Sequence, residues 1–166
     1  RQILYTTDDI GKPKAPIAAG KLKLFNPHFH CIVFEELIQE SNSRDIISQF
    51  DIVVDGSDNF LTRYLVNDSC VALGKPLVYG SILNFEGQLA VFNYQGSKNL
   101  RDLYPEPPNP EDVPSCSENV VLGSIPGIIG TMMCHFVFKI ILQRQVQINK
   151  IFILNLDKFS LRELTF

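Results

Sequence analysis

The segment Asp51–Phe60, with the sequence DIVVDGSDNF, constrains the fold more than any other part of the chain. Its first four residues predict a buried strand, and an acidic turn containing a glycine follows. A helix is expected to begin at Asn59 or Phe60. In an open α/β sheet, ligands bind just beyond the carboxyl ends of the strands. The segment therefore places Asp55 and Asp58 where a nucleotide or its metal ion would bind.

Composition narrows the classes of function. The chain has 166 residues, 45% of them hydrophobic and 20% charged, which fits one domain of ordinary size with a real core. The formal net charge of −3 argues against nucleic acid as a partner, since such domains are usually strongly basic. The longest apolar stretch, 125–142, is interrupted by Pro126 and Lys139 and falls short of the roughly 20 residues that span a bilayer. We therefore expect neither a nucleic-acid nor a membrane partner.

The chain has four cysteines, and no two form a C-x-x-C pair. A structural zinc site therefore has no support from the spacing. Cys31, Cys70 and Cys134 stand in apolar surroundings and are expected to be buried free thiols. All four cysteines fit a reducing compartment.

The order of predicted elements indicates the fold class. Strands alternate with helices as far as residue 83, a pattern typical of parallel βαβ units. The short link 84–86 predicts an antiparallel hairpin, and residues 95–119 form a long Pro-rich loop. Predicted helices cover 13–25, 43–50, 60–73 and 125–143, and predicted strands cover 29–34, 51–54, 75–83, 87–94, 151–156 and 161–166.

The predicted class is α/β, with a partial doubly wound, Rossmann-like sheet that is mainly parallel and carries the hairpin as an extension. A complete nucleotide-binding fold of this kind begins with a strand, a Gly-rich turn and a helix. The sequence contains no G-x-G-x-x-G or G-K-[ST] motif. It opens with Arg1 and runs directly into a loop. We therefore expect residues 1–166 to be a single domain fragment that lacks the N-terminal strand and its Gly-rich turn.

Six segments, in a consistent order, resemble the ubiquitin-activating-enzyme-like superfamily. The similarity is greatest to the molybdopterin-synthase and thiazole-biosynthesis adenylyltransferases. The resemblance implies ATP-dependent adenylation of the C-terminal Gly-Gly carboxylate of a small ubiquitin-like sulfur-carrier protein, with Mg²⁺, by a homodimer. The segments are Arg1-Gln2, Asp9–Ala15, Asp55–Phe60, Lys75–Ser81, Glu86–Phe92 and Val113–Glu118.

The resemblance also implies roles for single residues. Arg1 and Gln2 would contact the phosphates of ATP, Lys14 would neutralise phosphate charge, and Asp58 would hold magnesium with Asn59 beside it. These residue types suit the chemistry, because a carboxylate attacking a phosphate is a reaction between two anions. Taken alone, Lys14 would more often lie on a solvated helix face and Asp58 would more often be a helix cap, but the resemblance favours the functional roles.

Cys116 follows the Pro-rich loop. In thiazole-biosynthesis members the matching cysteine takes part in sulfur transfer, whereas in the molybdopterin branch it is not clearly required. A thiol acts as a nucleophile when its pKa is lowered, and no basic residue is close to Cys116 in sequence. A functional thiol and a passive loop cysteine both stay open here.

The chain departs from the family pattern in three places. The missing N-terminal portion predicts that the fragment alone is inactive. Residues 99–102 occupy the place of the family's first C-x-x-C pair, so no zinc is expected. The segment Asn119-Val120-Val121 stands where the family usually has a small residue and a glycine. The sequence RDLYPEPP in the loop resembles cyanobacterial and plastid-encoded members, which implies the plastid stroma or a bacterial cytoplasm.

Two other hypotheses remain. The first is a carrier-binding or dimerisation module of the same fold without catalysis, in which the strands 77–83 and 88–94 form the docking surface. The second is a methyltransferase-like nucleotide domain. It has no place for the Glu86-Gly-Gln segment or the Pro-rich loop, and it therefore ranks last.

Overall fold

The computed structural model describes residues 2–109 and 122–166. Its contacts divide the chain into two compact units, Arg1–Leu37 and Ile38–Phe166. The first unit contains a 3₁₀ turn at Thr7–Asp9 and helix α1 at Lys14–Phe25. Pro13 precedes α1, where its missing N–H costs nothing, and Asn26 ends the helix.

The second unit is an open five-stranded sheet with the order β1-β2-β3-β4-β5 and with helices on its two faces. Strand β1 pairs with β2 in parallel, and the three other pairings are antiparallel. The helices are α2 (Ser43–Ser48), α3 (Phe60–Leu73), α4 (Leu100–Leu103) and α5 (Ser124–Ile141), and the strands are β1 (Val53–Asp55), β2 (Leu77–Leu83), β3 (Glu86–Phe92), β4 (Lys150–Asn155) and β5 (Ser160–Thr165).

Alternation along the strands directs side chains into two separate cores. On β2, Leu77 and Tyr79 belong to the core shared with α2 and α3, whereas Val78 belongs to the core shared with α5. Strand β3 repeats this pattern, with Phe92 on the first side and Val91 on the second. The sheet therefore forms the middle of three layers, as expected for an α/β fold.

Two glycines allow α5 to lie close to the sheet. A Cβ atom on Gly80 of β2 would stand 2.3 Å from Sδ of Met133, and one on Gly87 of β3 would stand 2.4 Å from Cγ1 of Ile129. Real Cβ atoms do not tolerate such distances, so a larger residue would force the flexible thioether of Met133 to move at Gly80 and would force the branched side chain of Ile129 to move at Gly87.

Helix α5 is also long and apolar enough to span a membrane by length and composition alone. This is weak evidence, because a core helix of a soluble protein passes the same test. One face of α5 packs on the sheet through Ile125, Ile129 and Phe136, whereas Phe138 is 56% exposed.

The α/β class, the open sheet and the antiparallel hairpin are confirmed, but two expectations are wrong. The sheet is mixed and mainly antiparallel in the described residues, because β3, β4 and β5 follow one another as antiparallel neighbours. Residues 29–34 are not a strand. Their β-branched and aromatic residues satisfy a local preference, but a strand also needs a hydrogen-bonded neighbour, and no ladder includes these residues in the described part of the chain.

Candidate functional site

The acidic turn joins the end of β1 to the start of α3. Asn59 is the N-cap of α3, and its side-chain oxygen accepts a hydrogen bond from the Thr62 N–H at 2.9 Å. The cap is thus Asn59 and not Asp58. Asp58 precedes it and is exposed, at the end of the helix where the dipole favours negative charge. An exposed carboxylate at this position can meet a cation from solvent.

Asp55, at the other end of the turn, is buried. It is only 5% exposed, and its Oδ1 accepts a hydrogen bond from the Ser57 N–H at 2.8 Å. The second carboxylate oxygen of Asp55 and the hydroxyl of Ser57 are buried without a hydrogen-bond partner in the described residues. Buried polar atoms rarely lack a hydrogen-bond partner. These two oxygen atoms of the turn can therefore form hydrogen bonds that the described residues do not supply.

Arg63 reaches this turn from the first part of α3. It is 6% exposed, and its guanidinium donates to the carbonyl oxygens of Ser57 and of Gly80, the latter at 2.9 Å. The guanidinium also lies 5.1 Å from the ring centroid of Tyr79. One side chain therefore connects the turn after β1 with strand β2.

A second polar site lies in the first unit. Gln2 and Lys14 line one cleft of about 300 Å³ together with Lys12 and Tyr5. The Tyr5 hydroxyl donates to the Lys14 backbone carbonyl at 3.2 Å, which ties the start of the chain to the start of α1. Two lysine ammonium groups and an amide in one cleft suit an anionic ligand.

The same cleft is bordered by an ion pair. Asp9 contacts Lys21 of α1, and the Lys21 ammonium also donates to the Leu4 carbonyl at 2.7 Å. The hydrogen bond from Lys21, followed by that from the Thr6 backbone N–H, lowers the pKa of Asp9 to about 2. Because Asp9 is already paired with Lys21, the charges of Lys12 and Lys14 are not offset by it.

The described start of the predicted loop is more ordered than expected. Residues 100–103 form α4, capped by Asn99 and Asp102. The Asn67 side chain accepts from the Leu100 N–H at 2.9 Å, and the Tyr64 hydroxyl lies within hydrogen-bonding distance of two carbonyl oxygens, those of Tyr104 and Glu106, at 2.9 and 2.8 Å. Helix α3 therefore holds the loop in place as far as residue 106.

The three described cysteines differ in burial, and the prediction of a buried thiol is confirmed for Cys70. Cys70 is fully buried, and burial, with a smaller effect of the Asp55 charge, raises the pKa of its thiol to about 12. Cys31 is half-buried and Cys134 is exposed on α5, so the prediction of buried thiols is wrong for Cys134. Arg1 and Cys116 lie outside the described residues.

The predicted site residues thus fall into two groups. Gln2 and Lys14 share the cleft of the first unit, and Asp58 and Asn59 share the turn of the second. Sequence reasoning missed Lys12, which shares the cleft, and Arg63. Lys12 lies within the Asp9–Ala15 motif, and its positive charge alone would have made it a candidate. Arg63 could not be predicted, because a single arginine in a helix has no sequence pattern that identifies the turn it contacts.

An open sheet with helices on both faces and an acidic turn at the end of β1 defines a protein of the α/β class. The model of the ThiF family matches residues 1–166. The chain belongs to the ThiF family.

Named relatives agree with this assignment, and a solved structure shares the fold. The chain is 50% identical over 143 residues to a probable molybdopterin-synthase adenylyltransferase of Pyropia yezoensis, covering 86% of this chain and 38% of that protein. It is 44% identical over 147 residues to the sulfur carrier protein adenylyltransferase of Thermus thermophilus, covering 86% and 54%. The chain thus spans about two fifths of the length of the first relative and about half of the length of the second. A crystal structure of E. coli MccB with MccA-N7isoASN has a TM-score of 0.84 at 16% identity, covering 99% of this chain and 52% of that one.

Proposed function

We propose that the protein to which this chain belongs adenylates the C-terminal Gly-Gly carboxylate of a ubiquitin-like sulfur-carrier protein. One observation carries the proposal: Gln2 and Lys14, twelve positions apart in sequence, line one cleft with Lys12 in a chain of the ThiF family. The names of the relatives, which are adenylyltransferases, support the same activity. They do not favour a module without catalysis.

In the proposed reaction, a carboxylate oxygen of the carrier forms a bond to the α-phosphorus of ATP. The bond between that phosphorus and the bridging oxygen to the β-phosphate breaks, and pyrophosphate leaves with its electron pair. Negative charge therefore builds up on the leaving group. Lys14, with Arg1 and Gln2, would bind the phosphates and offset that charge.

The residues present fit magnesium as well as ATP. Magnesium is usually bound by one or two carboxylates together with phosphate oxygens and water. Asp58 is an exposed carboxylate, and the neighbouring Asp55 and Ser57 carry buried oxygens without a partner in the described residues. We assign Asp58 as the magnesium-binding carboxylate, with Asn59 beside it. The ion would supply positive charge against the phosphates.

The remaining features are part of the same proposal. The protein would act as a homodimer in the plastid stroma or a bacterial cytoplasm, in molybdopterin or thiazole biosynthesis, without zinc. Residues 1–166 would belong to one adenylation domain. The candidate sulfur-transfer thiol is Cys116.

The test is carrier-dependent exchange of labelled pyrophosphate into ATP, measured with the full-length protein. We expect exchange with a Gly-Gly-ended carrier and none with the same carrier lacking its last glycine. Molybdopterin-type and thiazole-type carriers, compared in parallel, distinguish the two pathways. If the folded full-length protein supports no exchange with either carrier, the proposed function is wrong.

A further inference from the structure

Arg63 is a buried cation whose position is unusual. It is 6% exposed, and none of the ion pairs among residues 2–109 and 122–166 includes it. Removing a guanidinium from water is costly unless its donors find partners. Here the donors meet two backbone carbonyls, those of Ser57 and Gly80, and the face of the guanidinium meets the Tyr79 ring.

The backbone explains how Arg63 reaches the turn. The Arg63 N–H bonds to the Asn59 carbonyl, so Arg63 lies one turn inside α3. Long side chains on a helix point back toward its N-terminus. The side chain of Arg63 therefore runs toward the residues that precede α3, and the guanidinium ends at Ser57.

The two carbonyls belong to different elements. Ser57 lies in the turn after β1, and Gly80 lies inside β2, which pairs with β1 in parallel. Tyr79 is part of the core, with its ring centroid 5.5 Å from that of Phe92. The guanidinium therefore fixes the turn relative to the buried strand β2.

Arg63 also places positive charge beside an acidic turn. Ser57 links Arg63 to Asp55, because its carbonyl accepts from Arg63 and its N–H donates to the Asp55 carboxylate. The positive charge of Arg63 therefore lies next to the turn that carries Asp55 and Asp58.

We propose that Arg63 is a positioning residue for the Asp58 turn: by binding the Ser57 and Gly80 carbonyls, it holds Asp58 in place for the metal-bound triphosphate. The role of the turn in binding the triphosphate rests on the proposed function. The clamp, by which we mean the hydrogen bonds from Arg63 to the Ser57 and Gly80 carbonyls, does not. Lysine keeps the charge but lacks the planar fork that reaches two carbonyls. Arg63→Lys is therefore the informative variant, and Arg63→Met removes the charge as well.

The matched control is Ser69→Ala. Ser69 is also a buried polar residue of α3, but its hydroxyl bonds to Ser43 of α2, away from the turn. A merely structural role for Arg63 would make its variants behave like Ser69→Ala, with a lower melting temperature and an unchanged dependence on magnesium.

Two measurements on the full-length protein test the proposal. The first is the Mg²⁺ concentration that gives half-maximal carrier-dependent pyrophosphate exchange. We expect Arg63→Lys to raise it by about tenfold, as is typical when a residue behind a metal ligand is changed, and to lower kcat, with little change in Ser69→Ala. The second is amide hydrogen exchange of residues 56–59, which we expect to be faster in Arg63→Lys and unchanged in Ser69→Ala.

The outcomes separate the two proposals. Unchanged amide protection at 56–59 in a folded Arg63→Lys protein overturns the clamp, whether or not the wild type is active. An unchanged Mg²⁺ requirement in an active Arg63→Lys protein overturns the positioning role. If the wild type shows no pyrophosphate exchange while Arg63→Lys loosens the turn, the proposed function is wrong and the clamp is supported.

Discussion

Ile129 of α5 packs directly over Gly87 of β3, so closely that a Cβ atom on Gly87 would stand 2.4 Å from Cγ1 and 2.5 Å from Cδ1 of Ile129. Both residues are buried. Isoleucine is branched at Cβ, and its Cγ1 cannot move aside as the tip of a longer side chain can. This contact sets how closely α5 lies to the sheet.

Gly87→Ala is therefore expected to destabilise the protein by about 1–3 kcal/mol, the usual cost of overpacking a core. The free energy of unfolding, measured by urea denaturation, gives the value. The double variant Gly87→Ala/Ile129→Val should recover part of the loss, because it removes the Cδ1 atom of the clash.

Gly130→Ala is the control in the same helix. A Cβ atom at Gly130 meets nothing within 4 Å, and alanine is favoured over glycine inside a helix by about 0.5–1 kcal/mol. We expect Gly130→Ala to stabilise the protein. Equal effects of Gly87→Ala and Gly130→Ala would contradict the packing described here.

Asn59 has a capping role that can be separated from its proposed cofactor role. Asn59→Ala removes the hydrogen bond to the Thr62 N–H and should cost about 1 kcal/mol of unfolding free energy, whereas Asn59→Ser keeps a capping oxygen and should restore most of it. ATP affinity of the full-length protein should fall in both variants. If Asn59→Ser binds ATP as the wild type does, Asn59 is a cap only.

The Asp9–Lys21 pair makes a prediction about pH. The pKa of Asp9 is lowered from 3.8 to about 2 in the folded protein. A carboxyl group with a lowered pKa contributes stability above its unfolded pKa, and that contribution is lost as the pH falls through the folded value. The loss should therefore occur between about pH 4 and pH 2.

Carboxyl-carbon NMR titration of Asp9 tests this directly. Lys21→Met should raise the Asp9 midpoint toward its ordinary value, with the Thr6 hydrogen bond still lowering it, whereas Lys23→Met, also in α1, should leave it low. A midpoint near 3.8 in the wild type would show that Asp9 and Lys21 are not paired in solution.

Much of the fold was predictable where local signals agree. Helix α3 is found at Phe60–Leu73 as predicted, because an Asn cap begins it and Gly74, with φ of 64°, ends it in the left-handed region that glycine favours. The hairpin of β2 and β3 follows from two apolar runs separated by a short link.

The errors arise where structure depends on partners distant in sequence. Residues 29–34 have the composition of a strand, but composition does not supply a neighbouring strand. The contacts of Arg63 exist only after β2 has placed Gly80 and Tyr79 beside α3. Helix α4 carries a local signal, the capping pair Asn99 and Asp102, but four residues fall below the length at which helical periodicity is visible.

The central proposal is that Lys14 and Asp58 both serve the same adenylation step. The direct measurement is kcat/KM for carrier-dependent pyrophosphate exchange by the full-length protein, for Lys14→Met, Asp58→Asn and the double variant, with Lys23→Met as the control. We predict a loss of about 100-fold or more in each single variant, a double variant that loses less than the product of the two, and a control at the wild-type rate. Wild-type exchange in a folded Lys14→Met or Asp58→Asn protein would contradict the claim.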